Sequence, residues 1–374
     1  MKITVERDAL VDGLAWVSRS LSSRPIMPIL LGISLEAAAG NLHLAAYDQE
    51  ISGEAEVTAQ VDAPGKAVVS GRLFTDVIRS LPHKPITFAL EGSRLNITCG
   101  SSRFALPTMN AEDYPTLPIL PAAAGEVDGE LLSHAIAQVA VAAGRDDSLP
   151  VLTGVHVEIE GDKVTLAATD RYRLAVREFN WSSQKPNTSA SALIRGRTLS
   201  EVAKSLSGNS KVTFALAPSG SHEHLVGFST ENRTTTTRML DGTFPPYRHL
   251  LPNEASSVAI VEVSALMEAV RRVAVVVDKT SSLKLNFSDG ALRLDAKSTD
   301  EAQATEEIAV DFEGDEISIA FNPTFLTDGL TAVGTPFVHI AFTASNKPAV
   351  LSGKASKDAA ADDSYRYLLM PMRY

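Results

Sequence analysis

Along this chain, apolar residues recur at helical spacing in some stretches and alternate with polar residues in others. Leu10, Leu14, Val17 and Leu21 follow the i, i+4, i+7 rhythm of a helix that buries one face. Leu132, Ile136 and Val139 repeat that rhythm, as do Leu266, Val270 and Val273. A second helix is predicted after each of Ser70-Gly71, Arg195-Gly196 and Asn322-Pro323. Its apolar positions are Phe74/Val77/Leu81, Leu199/Val202/Leu206 and Leu326/Leu330/Val333. Pro323 suits a first helical turn, where its missing N–H is not needed. The alternating stretches 33–46, 155–168 and 283–296 are each broken by a glycine-containing turn and predict β-hairpins.

The same order of elements comes round three times, and so do the words that carry it. LAAYDQEISGEAEV (44–57) is echoed by LAATDRYRLAVREF (166–179) and, more loosely, by LDAKSTDEAQATEEI (294–308). VVSGRLFTDVIRSLP (68–82) returns as LIRGRTLSEVAKSLS (193–207) and IAFNPTFLTDGLTAVG (319–334). A spacing of roughly 125 residues is that of a whole domain. The prediction is an α+β fold of three repeated domains, each with two helices on antiparallel sheets. The expected boundaries are 1–120, 126–250 and 253–374, separated by the proline-rich stretches Tyr114–Pro121 and Pro245–Pro252. Residues 354–363 read as a mobile loop. The turns Ser70-Gly71-Arg72 and Arg195-Gly196-Arg197 read as a recurring strand-to-helix connection rather than as an anion site.

The composition narrows the function. With 374 residues, 44% of them hydrophobic, each repeat can build its own core. A net charge of −11 excludes a wholly basic nucleic-acid module but not a local basic lining. The single Cys99 excludes an internal disulfide, and the charged N-terminus does not fit a signal peptide. A soluble, acidic protein of the cytoplasm is expected.

Chemistry is harder to find. His222 and His224 are the only closely spaced histidines, and no phosphate-binding glycine loop, nucleophile elbow or zinc motif is present. Neither a catalytic set, a metal nor a cofactor is expected. Asp170-Arg171-Tyr172-Arg173 is dense enough in polar groups to suggest an enzyme. Asp170, however, matches Asp48 of the first repeat, which argues for a shared turn. A three-domain scaffold that never meets DNA is the other reading of another class.

Seven stretches together resemble the β sliding clamp family, the β subunits of bacterial DNA polymerase III, over essentially the full length. They are SSRPIMPIL (22–30), RFALPTMNAEDYPTLP (103–118), PVLTGVHVE (150–158), AATDRYRLAV (167–176), DGTFPPYRHLLP (241–252), IAFNPTFLTDGL (319–330) and LLMPMRY (368–374). The resemblance implies two chains closed head to tail as a ring around double-stranded DNA, helices lining the hole. It implies a non-catalytic processivity factor. Its partners would be the DNA polymerase III alpha subunit, the clamp loader, and other polymerases and repair proteins carrying clamp-binding peptides.

Carried over by motif, the peptide cleft would comprise Leu152, Thr169, Arg171, Tyr172, Arg173, Leu174, Pro245, Leu250, Leu368, Met370, Pro371, Met372 and Arg373. Its methionines and prolines suit an adaptable apolar groove with arginines at the rim. Candidate DNA-facing cations are Arg24, Arg72, Arg79, Arg197, Lys204, Arg271 and Arg272. Phe104 and Leu106 of one chain would meet Val275 and Val276 of its partner at the dimer interface. The pair Arg171-Tyr172 departs from the small residue and histidine usual in the family, and Tyr374 from an aliphatic residue. Both a main replicative clamp and a diverged duplicate of it fit these departures.

Overall fold

The computed structural model describes the chain apart from residues 23–24, 185–187, 207, 209–210, 217–223, 253, 279–280, 298–301 and 373–374. Among the described residues two α-helices fall in each repeat: α1 (Arg7–Val17), α2 (Gly71–Ser80), α3 (Gly129–Ala140), α4 (Gly196–Leu206), α5 (Val263–Val273) and α6 (Pro323–Val333). None among the described residues is long and apolar enough to cross a membrane. The three sequence repeats do not coincide with the compact units. One unit comprises residues 1–131, 181–192 and 201–239; the other comprises 132–180, 193–200 and 240–374.

In the first unit a thirteen-stranded sheet runs from the first repeat into the second. The joining strands are Ile51–Ala63 and Arg233–Arg238, antiparallel, with Thr236 opposite Ser52. Leu10, Leu14 and Val17 of α1 are fully buried, as their spacing requires. Trp16 donates its indole N–H to the Thr234 carbonyl at 3.1 Å and so ties α1 to the joining strand.

In the second unit the equivalent join pairs Arg173–Asn180 with Tyr365–Leu369, Leu174 opposite Leu368. A four-stranded sheet in the order Gln303–Ala309, Ala291–Lys297, Leu283–Ser288, Ile317–Phe321 completes the third repeat.

Two expected helix ends are shorter than the apolar rhythm suggests. α1 stops at Val17, because the Ser18 hydroxyl bonds back to the Leu14 carbonyl and the chain tightens into a 3-10 turn. Leu21 therefore lies beyond the helix. α2 stops at Ser80, because Leu81 precedes a proline and adopts extended backbone. The hairpin turn Ala39-Gly40 has φ of 49° and 83°, the left-handed pair that a tight hairpin demands. The Ser70-Gly71 and Arg195-Gly196 connections both run from a strand straight into a helix, as the repeat indicated. At Gly196 a β-carbon would come within 2.8 Å of Ala143, so glycine is needed there for close packing.

Neither linker hangs free. Tyr114 is buried and donates its hydroxyl toward the Gly32 and Ala45 carbonyls at 3.4 Å each. Phe244, Tyr247 and Leu251 join one apolar cluster with Leu174, Leu193 and Leu368. The stretch 354–363, expected to be mobile, is pinned instead. Asp362 pairs with Arg177 at 2.8 Å and Lys357 with Asp311 at 2.6 Å.

Candidate functional site

The turn that follows strand Lys163–Thr169 organises the site. One carboxylate oxygen of Asp170 accepts from the amides of Tyr172 (3.0 Å) and Arg173 (3.1 Å). In the first repeat Asp48 does the same for Glu50 (3.0 Å) and Ile51 (2.8 Å). The residue after each aspartate is left-handed, Arg171 at φ 79° and Gln49 at φ 78°. The turn is thus one design used twice. Each is clasped by the end of a later strand: Met370 N–H donates to Tyr172 O (2.9 Å), and Arg238 N–H to Glu50 O (3.0 Å).

What differs is the residue that closes the turn. Ile51 closes the first; Arg173 closes the second and is only 5% exposed. Its Nε donates to the second oxygen of Asp170 (3.0 Å), and one terminal nitrogen donates to Asp328 of α6 (2.6 Å) and the Tyr367 hydroxyl (3.3 Å). Its guanidinium lies 4.3 Å from the Phe325 ring centroid. Burial pushes the Tyr367 phenol well up, so it stays a neutral donor, and it bonds the Phe325 carbonyl at 2.8 Å. Arg173 is therefore not the rim arginine the sequence suggested. Two carboxylates and a hydroxyl hold it inside the wall, because a buried guanidinium is stable only when so paired. Both oxygens of Asp170 are engaged in holding the turn and Arg173, the structural role that its match to Asp48 suggested.

Beside this wall opens a cavity of about 540 Å³. It brings together four of the expected residues, Leu152, Arg171, Tyr172 and Arg173. Thr169 stands behind the turn, its hydroxyl on the Arg173 carbonyl at 2.7 Å. Leu174 and Leu368 are 1% and 2% exposed, so they form core beneath the site rather than its surface. Leu250 and Met370 are exposed, while Pro245, Pro371 and Met372 are half-buried. Sequence reasoning missed the segment from Ala143 to Leu149 and the first turns of α6, with Phe325 and Asp328. The signal available was the position of Leu149 directly before the Pro150–Thr153 motif, and of Phe325 within the Asn322-Pro323 motif.

The expected cations divide into two groups. Arg72, Arg79, Arg197 and Arg271 are exposed on α2, α4 and α5, with no acidic side chain in ion-pair range among the described residues. Lys204 is bound to Glu201 (2.8 Å), and Arg272 to Glu268 (3.3 Å) and Glu306 (2.6 Å), so their charges are largely spent. Arg24, Arg373, Tyr374 and His222 lie outside the described residues.

Two strand edges and one knob are open to a partner. Ser102–Met109 pairs along its length with Arg94–Cys99, but on its other side only Thr108 and Met109 are paired. Phe104 on this edge is 38% exposed; Leu106 is 6% exposed and belongs to the core of its own sheet. Gln303–Ala309 is the outermost strand of the four-stranded sheet. Val275 is 83% exposed and Val276 half-buried in the 3-10 turn after α5, beside a cavity of about 500 Å³.

Comparison with known proteins gives one consistent answer. The models for the N-terminal, central and C-terminal domains of the DNA polymerase III beta subunit match residues 1–118, 126–246 and 248–373. A beta sliding clamp of Streptomyces coelicolor is 50% identical over 373 residues, covering 100% of this chain and 99% of that protein. The beta sliding clamp homolog GriR of Streptomyces muensis is 43% identical over 374 residues, covering 100% of each. Among solved structures, the DNA polymerase III subunit beta of Pseudomonas aeruginosa superposes with a TM-score of 0.91 at 27% identity, covering 100% of both chains. A sliding clamp of the same organism bound to griselimycin gives 0.91 at 28% identity, again covering 100% of both chains.

Proposed function

The chain belongs to the DNA polymerase III beta subunit family, the sliding clamps, and from that premise we propose how its own residues act. Two copies close head to tail around duplex DNA in the cytoplasm and tether the replicative polymerase, the clamp loader and other partners by short peptides. No bond is made or broken; the ring confers processivity because leaving the DNA requires an interface to open. Weak, sequence-blind contacts suffice for that, and tight phosphate gripping would hinder sliding.

The observation that carries this reading is the cavity beside Tyr172. It has apolar and aromatic walls in Leu149, Leu152, Tyr172 and Phe325, and a rigid back in the buried Arg173 network. At about 540 Å³ it has room for peptide side chains. The exposed Met370, bonded through its backbone to Tyr172, extends the apolar surface along the chain. Leu152, Arg171, Tyr172, Leu250, Met370, Pro371, Met372 and Arg373 would meet the peptide, over a floor of Leu174 and Leu368. Arg72, Arg79, Arg197 and Arg271 would offer the DNA its weak cationic contacts, with Arg24 beside them. The open edges at Ser102–Pro107 and Gln303–Ala309 would pair across copies, with Phe104 against Val275, and so hide strands that otherwise invite aggregation. Domain boundaries at 1–120, 126–250 and 253–374 complete the reading. A main replicative clamp and a diverged duplicate would share this geometry.

The test is topological. The protein is loaded by a clamp loader onto nicked circular DNA, the complex is isolated, and the DNA is then cut once. Retention on circles and loss after cutting are expected; equal retention on both would overturn the ring mechanism.

A further inference from the structure

The same carboxylate is built at both joins between repeats, and it is neutralised at only one. Glu178 in the second repeat and Glu56 in the first hold the same place in the matching stretches 166–179 and 44–57. Each donates its amide to the chain that faces it, Glu178 N–H to Ser364 O at 2.8 Å and Glu56 N–H to Asn232 O at 2.9 Å. At the second join the Lys163 ammonium lies 2.6 Å from the Glu178 carboxylate, and Arg366 adds a second cation at 3.7 Å. Asn41 stands where Lys163 does, as the first residue of the preceding strand. Its side-chain amide donates to Glu56 at 2.6 Å. The hydrogen bond is kept, but a neutral group has taken the place of the charge. No cation is in ion-pair range of Glu56 among the described residues.

Glu56 lines a cavity of about 470 Å³ between α1, the strand Ile51–Ala63 and residues 231–233. Ala9, Gly13 and Val57 give it a side of small and apolar groups. Gly13 lets the helix lie close on the strand, since a β-carbon there would come within 2.9 Å of Val57 Cγ2. Three acids line the cavity, Asp12, Glu56 and Glu231, against one cation, Arg233. That cation is already spent. One terminal nitrogen of Arg233 is 2.6 Å from Asp12, and its guanidinium carbon lies 5.9 Å or less from an aromatic face, 5.6 Å from the Trp16 ring centroid. Glu231 has no partner among the described residues. The cavity is therefore negative, and its surplus groups are hydrogen-bond acceptors. Asn232 fixes its rim, because its side-chain amide donates to Glu56 O at 3.4 Å while its own carbonyl accepts from the Glu56 amide.

We propose that this cavity takes a lysine side chain of a partner protein, whose ammonium pairs with Glu56 as Lys163 pairs with Glu178. The second join supplies the template for the chemistry: the same carboxylate, given a cation by its own chain, holds an ammonium. A lysine brings a compact charge with three donors, which suits Glu56 and Glu231 together, and its alkyl stem can lie along Ala9 and Val57. The acids that attract it repel nucleic-acid phosphates, so the occupant is a protein. The site uses none of the residues that line the peptide cavity.

The test is calorimetric titration of the full-length protein with acetylated, amidated tetralysine at low salt. Glu56→Gln should weaken binding about tenfold. Asn41→Lys supplies the missing ammonium from within and should abolish binding. Glu160→Gln removes one negative charge elsewhere and should bind like the parent. Unfolding temperatures of Glu56→Gln and Asn41→Lys at or above the parent's show that the fold is intact. Equal weakening by Glu56→Gln and Glu160→Gln means diffuse attraction to an acidic protein and overturns the site. Undiminished binding to Asn41→Lys, or no binding to the parent, overturns it as well. Tighter binding of tetra-arginine or of spermidine than of tetralysine overturns the assignment to a protein lysine.

Discussion

Leu174 lies opposite Leu368 across the strand pair that joins the second repeat to the third. At the corresponding join between the first and second repeats, Ser52 lies opposite Thr236. All four side chains are buried. The leucines merge with Phe244, Tyr247 and Leu251 into an apolar floor, whereas the two hydroxyls find no hydrogen-bond partner among the described residues. The same turn and the same clasp therefore stand over different ground. Among the described residues, an apolar floor therefore lies beneath the second turn and not beneath the first, although the framework is built twice.

Removing an unpartnered buried hydroxyl should stabilise the first join. Thr236→Val keeps the branched shape and the β preference while deleting the polar atom. A gain of about 1 kcal/mol in chemical denaturation is expected. A loss of similar size would mean that Thr236 has a partner in solution.

Arg173 presents the opposite case. Its replacement by alanine strands the carboxylates of Asp170 and Asp328 in a half-buried wall and should cost about 3–5 kcal/mol. Combining it with Asp328→Asn should cost less than the sum of the two single changes. Strict additivity in denaturation midpoints would show that the 2.6 Å pair contributes nothing.

Much of this was legible in the chain. Periodicity located the six described α-helices and one hairpin in each repeat, because each element buries one face and its spacing records that. The shared turn was legible because Asp48 and Asp170 occupy the same place in two copies of one motif. The ends of α1 and α2 were not, because Ser18 bonding back to Leu14 and Leu81 preceding a proline override an apolar rhythm that continues past them. Arg173 was misplaced at the rim for a different reason. Its partners Asp328 and Tyr367 lie 155 and 194 residues away, and no local pattern distinguishes a buried arginine from an exposed one. The Ala143–Leu149 wall of the cavity was missed likewise, since its residues meet the turn only in the fold.

The exposed edge at Phe104 predicts an assembly phenotype. Phe104→Arg places a charge on a half-open strand edge where the chain's own core does not need the ring. Sedimentation should show folded monomers where the parent sediments as a dimer, with unfolding temperature little changed. Aggregated or unfolded Phe104→Arg would instead place the ring in the core.

Three half-buried histidines give stability opposite slopes with pH. His43 Nε2 donates to the Glu54 carboxylate at 3.1 Å, and that hydrogen bond raises it above the ordinary 6.5. Its contribution is complete below 6.5 and is lost as pH rises through the raised value. Burial lowers His156, stacked on Phe244 at 5.1 Å, and likewise His339, beside Lys354. Their neutral forms favour folding, so stability falls as pH drops from neutral through 6.5 towards the lowered values. Melting temperature against pH should lose its alkaline decline in His43→Gln and part of its acid decline in His156→Gln. Unchanged profiles in both would rule out this assignment.

Gly329 tests whether the wall of the cleft is set from behind. It follows Asp328 in α6 and packs against Tyr367, where an added β-carbon would lie 2.6 Å from the ring Cδ1. Alanine would favour the helix by about 1 kcal/mol if nothing stood in the way. Here the ring must move, and overpacking of this kind costs about 1–3 kcal/mol. Tyr367 cannot shift alone, because its hydroxyl bonds both Arg173 and the Phe325 carbonyl. Gly329→Ala should therefore lower the melting temperature and also weaken peptide binding several-fold, although residue 329 does not line the cavity. Peptide affinity equal to the parent's, at a lowered melting temperature, would show that Tyr367 supports the fold without positioning the site.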